Sequence, residues 1–245
     1  MKKYLPIIIF FLGIIVFVLV YFFVIKPSKK ETTSVEDTSS LVEVILNDRP
    51  VVSLTPTTDG HWLNLKIEKI QIPNAYSMDY ELLYDLPDGR TQGVPGTITL
   101  NGQKIIEREL LLGSESSGKY RYDDGVEEGT LTIRFRNDKG KLIARFTTKF
   151  VLLSGTKSLS SIDGSFEASL TKVPPKGHFV VMESFGVPSE APGDVKTGPF
   201  GLFYSEDASL SGEAKMGDNT IYRYTSSGWE KDSFDSGIFV GLAAE

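Results

Sequence analysis

The sequence predicts a mainly β protein, with one N-terminal transmembrane helix followed by two antiparallel β-sandwich modules of the immunoglobulin-like kind. Three observations support this prediction. The chain begins with a charge-free apolar run, its remainder consists of short segments with alternating apolar residues, and turn residues separate these segments about every 8–12 positions. The chain has no cysteine, which excludes disulfides, a thiolate nucleophile and a cysteine zinc site.

The run Leu5–Ile25 has the length of a membrane span. Its twenty-one uncharged residues would form a helix of about 31 Å, which matches a bilayer core of about 30 Å. The run is too long for a cleaved signal peptide and lacks small residues at its end. We therefore predict an uncleaved single-pass anchor in the lipid bilayer, with residues 1–4 as a short cytoplasmic tail. Flanking lysines are nearly balanced, so we expect an extracytoplasmic location from the length of the C-terminal part.

Residues 26–40 are rich in Ser, Thr and charged residues and show no apolar periodicity, which is typical of a flexible spacer.

Residues 1–30 hold five Lys and no acidic side chain, so the rest of the chain carries 21 basic against 32 acidic groups, a net charge of −11. Because such a surface repels phosphate, the composition disfavours nucleic acid as a partner of this region.

Residues 41–153 are predicted to form the first sandwich, with about nine strands. Apolar residues alternate with polar ones in Trp62–Ile70, for example. Asn101-Gly102 predicts a type I′ turn, and we expect it to join two strands paired with each other, 97–100 and 103–106.

Residues 162–245 are predicted to form the second sandwich, with about seven strands. The Ser-rich segment 154–161 would be the boundary between the two modules. A second hairpin is predicted between Ile221–Tyr224 and Trp229, and the Pro- and Gly-rich segment Gly186–Pro199 is expected to be an exposed loop.

Two stretches, YELLYDLPDGRTQGVPGTITLNG at Tyr80–Gly102 and ELLLGSESSGKYRYDDGVEEGTLTIRFR at Glu109–Arg136, resemble an uncharacterised family of membrane-anchored bacterial surface proteins. That resemblance implies a location at the cell surface and no activity. The stretch NTIYRYTSSGWEKD at Asn219–Asp232 is similar to paired strands ending in Trp in bacterial surface β-modules.

No catalytic residue and no cofactor are predicted. Ser154 and Lys157 match S-x-x-K, and Lys196 begins a K-T-G triplet, as in serine acyl-transferases of the penicillin-binding type. That chemistry needs Ser and Lys one turn apart on a helix, whereas this Ser ends a predicted strand. The two histidines, His61 and His178, each stand beside a turn, where the side chain is usually solvated, so neither a triad nor a zinc site is indicated.

Two kinds of binding site remain as candidates. Clustered oxygen donors suggest a calcium site, although none has EF-hand spacing; the candidates are Asp123, Asp124, Glu127 and Glu128, with a second set at Glu213, Asp218 and Asn219. Aromatic residues two positions apart share one sheet face and either stack on a ligand or belong to the core. These candidates are Tyr222, Tyr224 and Trp229, and also Tyr120 and Tyr122.

The anchor, the spacer and the acidic β-rich remainder together favour a cell-surface protein with a binding or structural role, in contact with an envelope polymer or another surface protein. Two alternatives stay open. One is an envelope enzyme of the glycan hydrolase type, which would need paired carboxylates across a cleft. The other is a subunit of a surface assembly that docks a partner through an apolar strand edge.

Overall fold

The structure is a computed structural model that describes Leu41 and residues 43–243. These residues form antiparallel β-sheets, which confirms the prediction of a mainly β fold. Besides strands, one short 3-10 helix, Leu46–Asp48, precedes the first strand. Within the described ranges no helix is long and apolar enough to cross a bilayer. The predicted tail (1–4), anchor (5–25) and spacer (26–40) lie outside the described residues.

Seventeen strands follow one another along the described chain. Those before the predicted boundary are β1 (Val51–Pro56), β2 (Trp62–Glu68), β3 (Ser77–Asp85), β4 (Thr91–Thr99), β5 (Ile106–Leu111), β6 (Gly113–Ser116), β7 (Lys119–Tyr122), β8 (Glu128–Arg136) and β9 (Leu142–Ser154). Those at or after it are β10 (Ser158–Ser160), β11 (Glu167–Leu170), β12 (His178–Glu183), β13 (Val195–Tyr204), β14 (Gly212–Lys215), β15 (Thr220–Thr225), β16 (Gly228–Lys231) and β17 (Gly237–Leu242).

One large sheet organises the fold. It contains nine strands in the order β16-β15-β17-β13-β12-β9-β8-β3-β4. Two three-stranded sheets, β1-β2-β5 and β10-β11-β14, and the separate hairpin β6-β7 complete the fold. Strand β1 lies against β12 and β13, and β10 lies near β12.

The nine-stranded sheet continues across the predicted boundary at 154–161. Strand β9 from the first predicted module pairs with β12 from the second, from Ser154 opposite His178 to Phe150 opposite Met182. The predicted limits, 41–153 and 162–245, leave open whether the two modules fold independently, which strand pairing alone does not measure. These limits stay a prediction, and variants on the strands that the two modules share can test them.

Two apolar cores lie on opposite faces of this sheet. Val180 and Met182 on β12 belong to the first core, which is built mostly from strands β1 to β9. Phe179 and Val181 on the same strand belong to the second core, with β11, β13 and β17. Because β12 is buried on both faces, its sequence is an uninterrupted apolar run instead of an alternating one.

The predicted Asn101-Gly102 hairpin is wrong in its pairing, although its turn chemistry is right. Both residues have positive φ, 45° and 77°, and the Gln103 N–H donates to the Leu100 carbonyl at 2.7 Å. However, β4 pairs with β3 while β5 pairs with β2. The turn therefore carries the chain from one sheet to another, and nothing local in the sequence distinguishes the two outcomes.

The second predicted hairpin is present, with Tyr224 opposite Trp229 on β15 and β16. The prediction of an exposed loop over Gly186–Pro199 is wrong at both ends. Val187 is fully buried, and strand β13 already begins at Val195. At Gly186 a Cβ atom would lie 2.3 Å from the Arg49 carbonyl oxygen, so this glycine permits close backbone packing.

Candidate functional site

The candidate site is formed by the hairpin β6-β7 and the turn that precedes β2. Every residue of β7, Lys119–Tyr122, is exposed. We call the four rings His61, Trp62, Tyr120 and Tyr122 the aromatic row. The hairpin cluster is the aromatic row together with the carboxylates of Asp59, Asp123 and Asp124.

Backbone contacts through Leu112 hold the hairpin against the start of β2. Leu112 is fully buried, its N–H donates to the His61 carbonyl at 2.9 Å, and its carbonyl accepts from the Asp123 N–H at 3.0 Å. The next residue, Gly113, has φ of 151°, and a Cβ atom there would lie 2.2 Å from the Arg121 carbonyl oxygen. The base of the hairpin is therefore fixed by burial and by a position that accepts only glycine.

The aromatic row is a continuous series of ring contacts. The rings of His61 and Tyr122 stack with centroids 4.2 Å apart and planes 8° apart. Tyr122 and Tyr120 are nearly parallel at 6.3 Å, and Trp62 meets Tyr120 edge-on at 5.5 Å. These are the offset and edge geometries that aromatic pairs prefer. Despite these contacts, Tyr120 and Tyr122 keep 48% and 40% of their surface exposed.

Two carboxylates face the two nitrogens of His61. Nδ1 lies 3.3 Å from Oδ2 of Asp59, and Nε2 lies 3.5 Å from Oδ1 of Asp124, whose side chain is 93% exposed. A neutral imidazole has only one N–H, so only the protonated ring donates towards both carboxylates. The His61 side chain therefore links the β1-β2 turn, through Asp59, to the residues after β7, through Asp124.

The turn before β2 fixes Asp59. The Thr57 hydroxyl donates to the Asp59 carboxylate, and the backbone N–H of His61 donates to Oδ1 of Asp59 at 3.1 Å. These hydrogen bonds, that of Thr57 first, lower the pKa of Asp59. Gly60 in the same turn has φ of 75° and packs under the ring of His178, so the turn is also braced by β12.

A buried tyrosine holds the side chain of Asp123 in place. Tyr84 on β3 donates its hydroxyl to Oδ2 of Asp123 at 2.9 Å. Burial, followed by the bond to this carboxylate, raises the pKa of Tyr84 well above its ordinary value. Tyr84 therefore stays neutral and acts as a fixed donor at neutral pH.

The four calcium candidates do not come together. Asp123 and Asp124 belong to the hairpin cluster, whereas Glu127 precedes β8 and Glu128 is its exposed first residue. No group of three or more His, Cys, Asp or Glu side chains among the described residues is arranged to hold a metal ion. In the second set, Glu213 pairs with Lys215 at 3.2 Å. Calcium binding stays a prediction.

The other aromatic candidates are half-buried. Tyr222, Tyr224 and Trp229 pack against apolar clusters, and Tyr224 meets Trp229 edge-on at 5.2 Å. The Trp229 indole N–H donates to the Ser189 carbonyl at 3.4 Å. Packing accounts for these three rings, whereas Tyr120 and Tyr122 at the hairpin form a pair of neighbouring exposed rings.

The S-x-x-K match is not on a helix. Ser154 ends strand β9, and the Lys157 ammonium donates to the Thr171 carbonyl at 3.0 Å. Lys196 is ion-paired with Asp194. Each lysine is thus held by a neighbour, and neither Ser154 nor Lys157 is placed for acyl transfer.

A cleft of about 650 Å³ bears on the hydrolase alternative. It is lined by residues 45–47 and 190–195, and its carboxylates are Glu190 and Asp194. Both side chains are exposed, and Asp194 is neutralised by Lys196. A hydrolase acid needs a desolvated environment that keeps it protonated, which this cleft does not supply.

Sequence reasoning missed the contribution of the β1-β2 turn to the site. A histidine beside a turn is expected to be solvated, and nothing in residues 57–62 indicates contact with a hairpin some sixty positions later. The Tyr120 and Tyr122 alternation was the available signal, and it identified one half of the aromatic row. The other half depends on the long-range register of β2 with β5, in which Trp62 lies opposite Leu111.

No protein-family model matches the chain, and no curated protein matches it. The resemblance of residues 80–102 and 109–136 to anchored bacterial surface proteins stays a prediction.

Proposed function

We propose that this chain is a single-pass, membrane-anchored cell-surface protein that binds an envelope polymer through the hairpin cluster. Leu5–Ile25 is the anchor in this proposal, and residues 41–245 are extracytoplasmic. The stacked sheets support sandwich-like modules, and their immunoglobulin-like character is part of the same proposal.

The aromatic row is the observation that carries the binding role. Tyr120 and Tyr122 stay exposed although the chain has two large cores in which aromatic rings are buried. Exposed aromatic surface that is held in place loses little conformational freedom when a ligand binds, so more of the contact energy appears as affinity. The carboxylates beside the rings can accept hydrogen bonds from hydroxyl groups.

A polysaccharide suits these features better than a polyphosphate does. Sugar rings present apolar C–H faces for stacking and hydroxyl donors for carboxylates. A polyanion would meet Asp59, Asp123 and Asp124 together with a net charge of −11 beyond residue 30, which is repulsive.

Sedimentation with insoluble envelope material tests the binding role. The full chain in detergent should sediment with this material, and the double variant Tyr120→Ala/Tyr122→Ala should bind at least about tenfold more weakly, since each lost ring contact contributes about 1 kcal/mol. Tyr76→Ala is the matched control. Tyr76 is 53% exposed and lies just before β3, whereas Tyr84, which contacts the hairpin cluster, lies near the opposite end of that strand. Equal sedimentation of the double variant and the native chain would reject the proposal.

Fractionation tests the anchor separately. Protein in intact membranes should resist extraction by alkaline carbonate, because a span of about 20 apolar residues is held by the bilayer core. Protease added to intact cells should degrade residues 41–245. Release by carbonate, or protection until lysis, would contradict the proposed topology.

A further inference from the structure

We propose that the hairpin cluster recognises the ammonium groups of a polysaccharide whose amino sugars carry free amines. This inference rests on the proposed function and names the ligand class of the same surface. It is carried by the charge that surrounds the aromatic row.

Two carboxylates lie against the aromatic row, and a third follows Tyr122 in the chain. Asp59 and Asp124 flank His61 at 3.3 and 3.5 Å, and Asp123 is held by the Tyr84 hydroxyl at 2.9 Å. The Asp124 side chain is 93% exposed, so its charge is available to a ligand. Aromatic faces attract a cation through their quadrupole, and adjacent carboxylates add direct attraction.

The basic side chains of this neighbourhood do not neutralise the cluster. Arg90 is ion-paired with Asp88 at 2.7 Å, and its weaker electrostatic interaction with the cluster is with Asp123. Lys119 and Arg121 alternate with the tyrosines along β7, so they lie on the opposite face of the hairpin. The imidazole of His61 is stacked on Tyr122 and lies between Asp59 and Asp124. The face that carries the rings therefore presents an excess of negative charge.

The shape of the surface favours a sugar polymer over a basic peptide. Tyr120 and Tyr122 are nearly parallel and 6.3 Å apart on an exposed strand, which gives a linear series of flat groups. Such a row suits a chain of pyranose rings, whose apolar C–H faces can stack on successive aromatic rings. Peptide recognition instead uses pockets for alternate side chains or a long strand edge, and β6 and β7 have only four residues each.

Calorimetric titration of the full chain in detergent tests the inference with three probes: a glucosamine tetramer, an N-acetylglucosamine tetramer and a lysine tetrapeptide. The glucosamine tetramer should bind at least about tenfold more tightly than its acetylated counterpart, and raising the salt concentration should weaken it. Asp124→Asn should reduce its affinity about fivefold, while Tyr120→Ala/Tyr122→Ala should abolish binding. Tyr76→Ala should change nothing.

Each other result overturns the inference in a distinct way. Equal affinity for the two tetramers would show that ring stacking operates without charge recognition, and tighter binding of the peptide would assign the surface to a basic protein. If neither tetramer binds while sedimentation with envelope material still depends on the tyrosines, the ligand class is wrong and the binding role stands. If sedimentation is also independent of the tyrosines, the proposed function fails as well.

Discussion

Tyr84 links the core of the large sheet to the hairpin cluster. Its pKa is raised by burial and by the hydrogen bond to Asp123, so the neutral phenol is favoured in the folded state. The folded-state pKa lies above the unfolded value of about 10, so this contribution to stability is complete below about pH 10 and is lost as the pH rises further.

Alkaline unfolding of Tyr84→Phe measures this contribution. We expect the variant to lose about 1 kcal/mol of stability at neutral pH, because one hydrogen bond to a carboxylate is removed. Above pH 10 its stability should fall less steeply than that of the native chain. Tyr76→Phe, at an exposed tyrosine, provides the comparison. Identical pH dependence of the native chain and Tyr84→Phe would contradict the assignment.

Alanine substitutions at Gly113 and at the matched position Gly118 test how tightly the base of the hairpin is packed. A Cβ atom at Gly113 would lie 2.2 Å from the Arg121 carbonyl oxygen, whereas nothing lies within 4 Å of a Cβ atom at Gly118, and both residues have positive φ. Gly118→Ala should therefore cost about 1 kcal/mol from backbone strain alone, and Gly113→Ala about 3 kcal/mol with displacement of the hairpin. Denaturant unfolding and near-ultraviolet dichroism of the aromatic row would measure both effects. Equal costs would show that the hairpin base is not tightly fitted.

At the scale of elements, strand β1 is tied to the chain beyond β12 by one buried hydrogen bond. The Val52 N–H donates to Oγ of Ser184 at 3.0 Å, and Ser184 is buried. Ser184→Ala leaves that N–H without its partner and should cost about 1–3 kcal/mol. The exposed Ser116→Ala should stay within about 0.5 kcal/mol of the native chain. Denaturant titration compares them, and an unchanged midpoint for Ser184→Ala would show that the bond does not stabilise β1.

Periodicity in the sequence was sufficient for most strands but not for their partners. The alternation in Trp62–Ile70 follows from local chemistry, and strand β2 is present there with alternate residues buried. The Asn101-Gly102 turn is also present, yet its flanking strands enter different sheets. Local residues set the turn, whereas burial of distant faces sets the pairing.

The site shows the same division between local and long-range information. Tyr120 and Tyr122 were identifiable because they alternate on one strand. Asp123 and Asp124 were identifiable as clustered oxygen donors, although their positions beside the rings were not. His61 and Tyr84 join the cluster only through sheet register, so no spacing within the sequence reveals them.

At the scale of the molecule, the two cores share the strands between them. Val180 and Val181 are adjacent on β12, are both fully buried, and face the first and second core respectively. A defect in either core is therefore expected to destabilise a sheet that both cores need. Residues 41–243 should unfold in one cooperative transition.

Hydrogen exchange on Val180→Ala and Val181→Ala tests this cooperativity. Each variant should lose about 2 kcal/mol through its cavity, and protection should fall equally in β2, which packs in the first core, and in β11, which packs in the second. If each variant affected only its own side, the predicted modules 41–153 and 162–245 would be independent folding units.

Mapping the contact surface by NMR tests the central claim most directly. Soluble fragments of the envelope polymer would be added to the labelled full chain in detergent micelles while backbone amide and aromatic resonances are followed. We predict shifts concentrated at residues 57–62 and 113–124, with none at the equally exposed Tyr76. Shifts centred on another surface, with the resonances of Tyr120 and Tyr122 unchanged at saturation, would contradict the assignment of the hairpin cluster as the binding site.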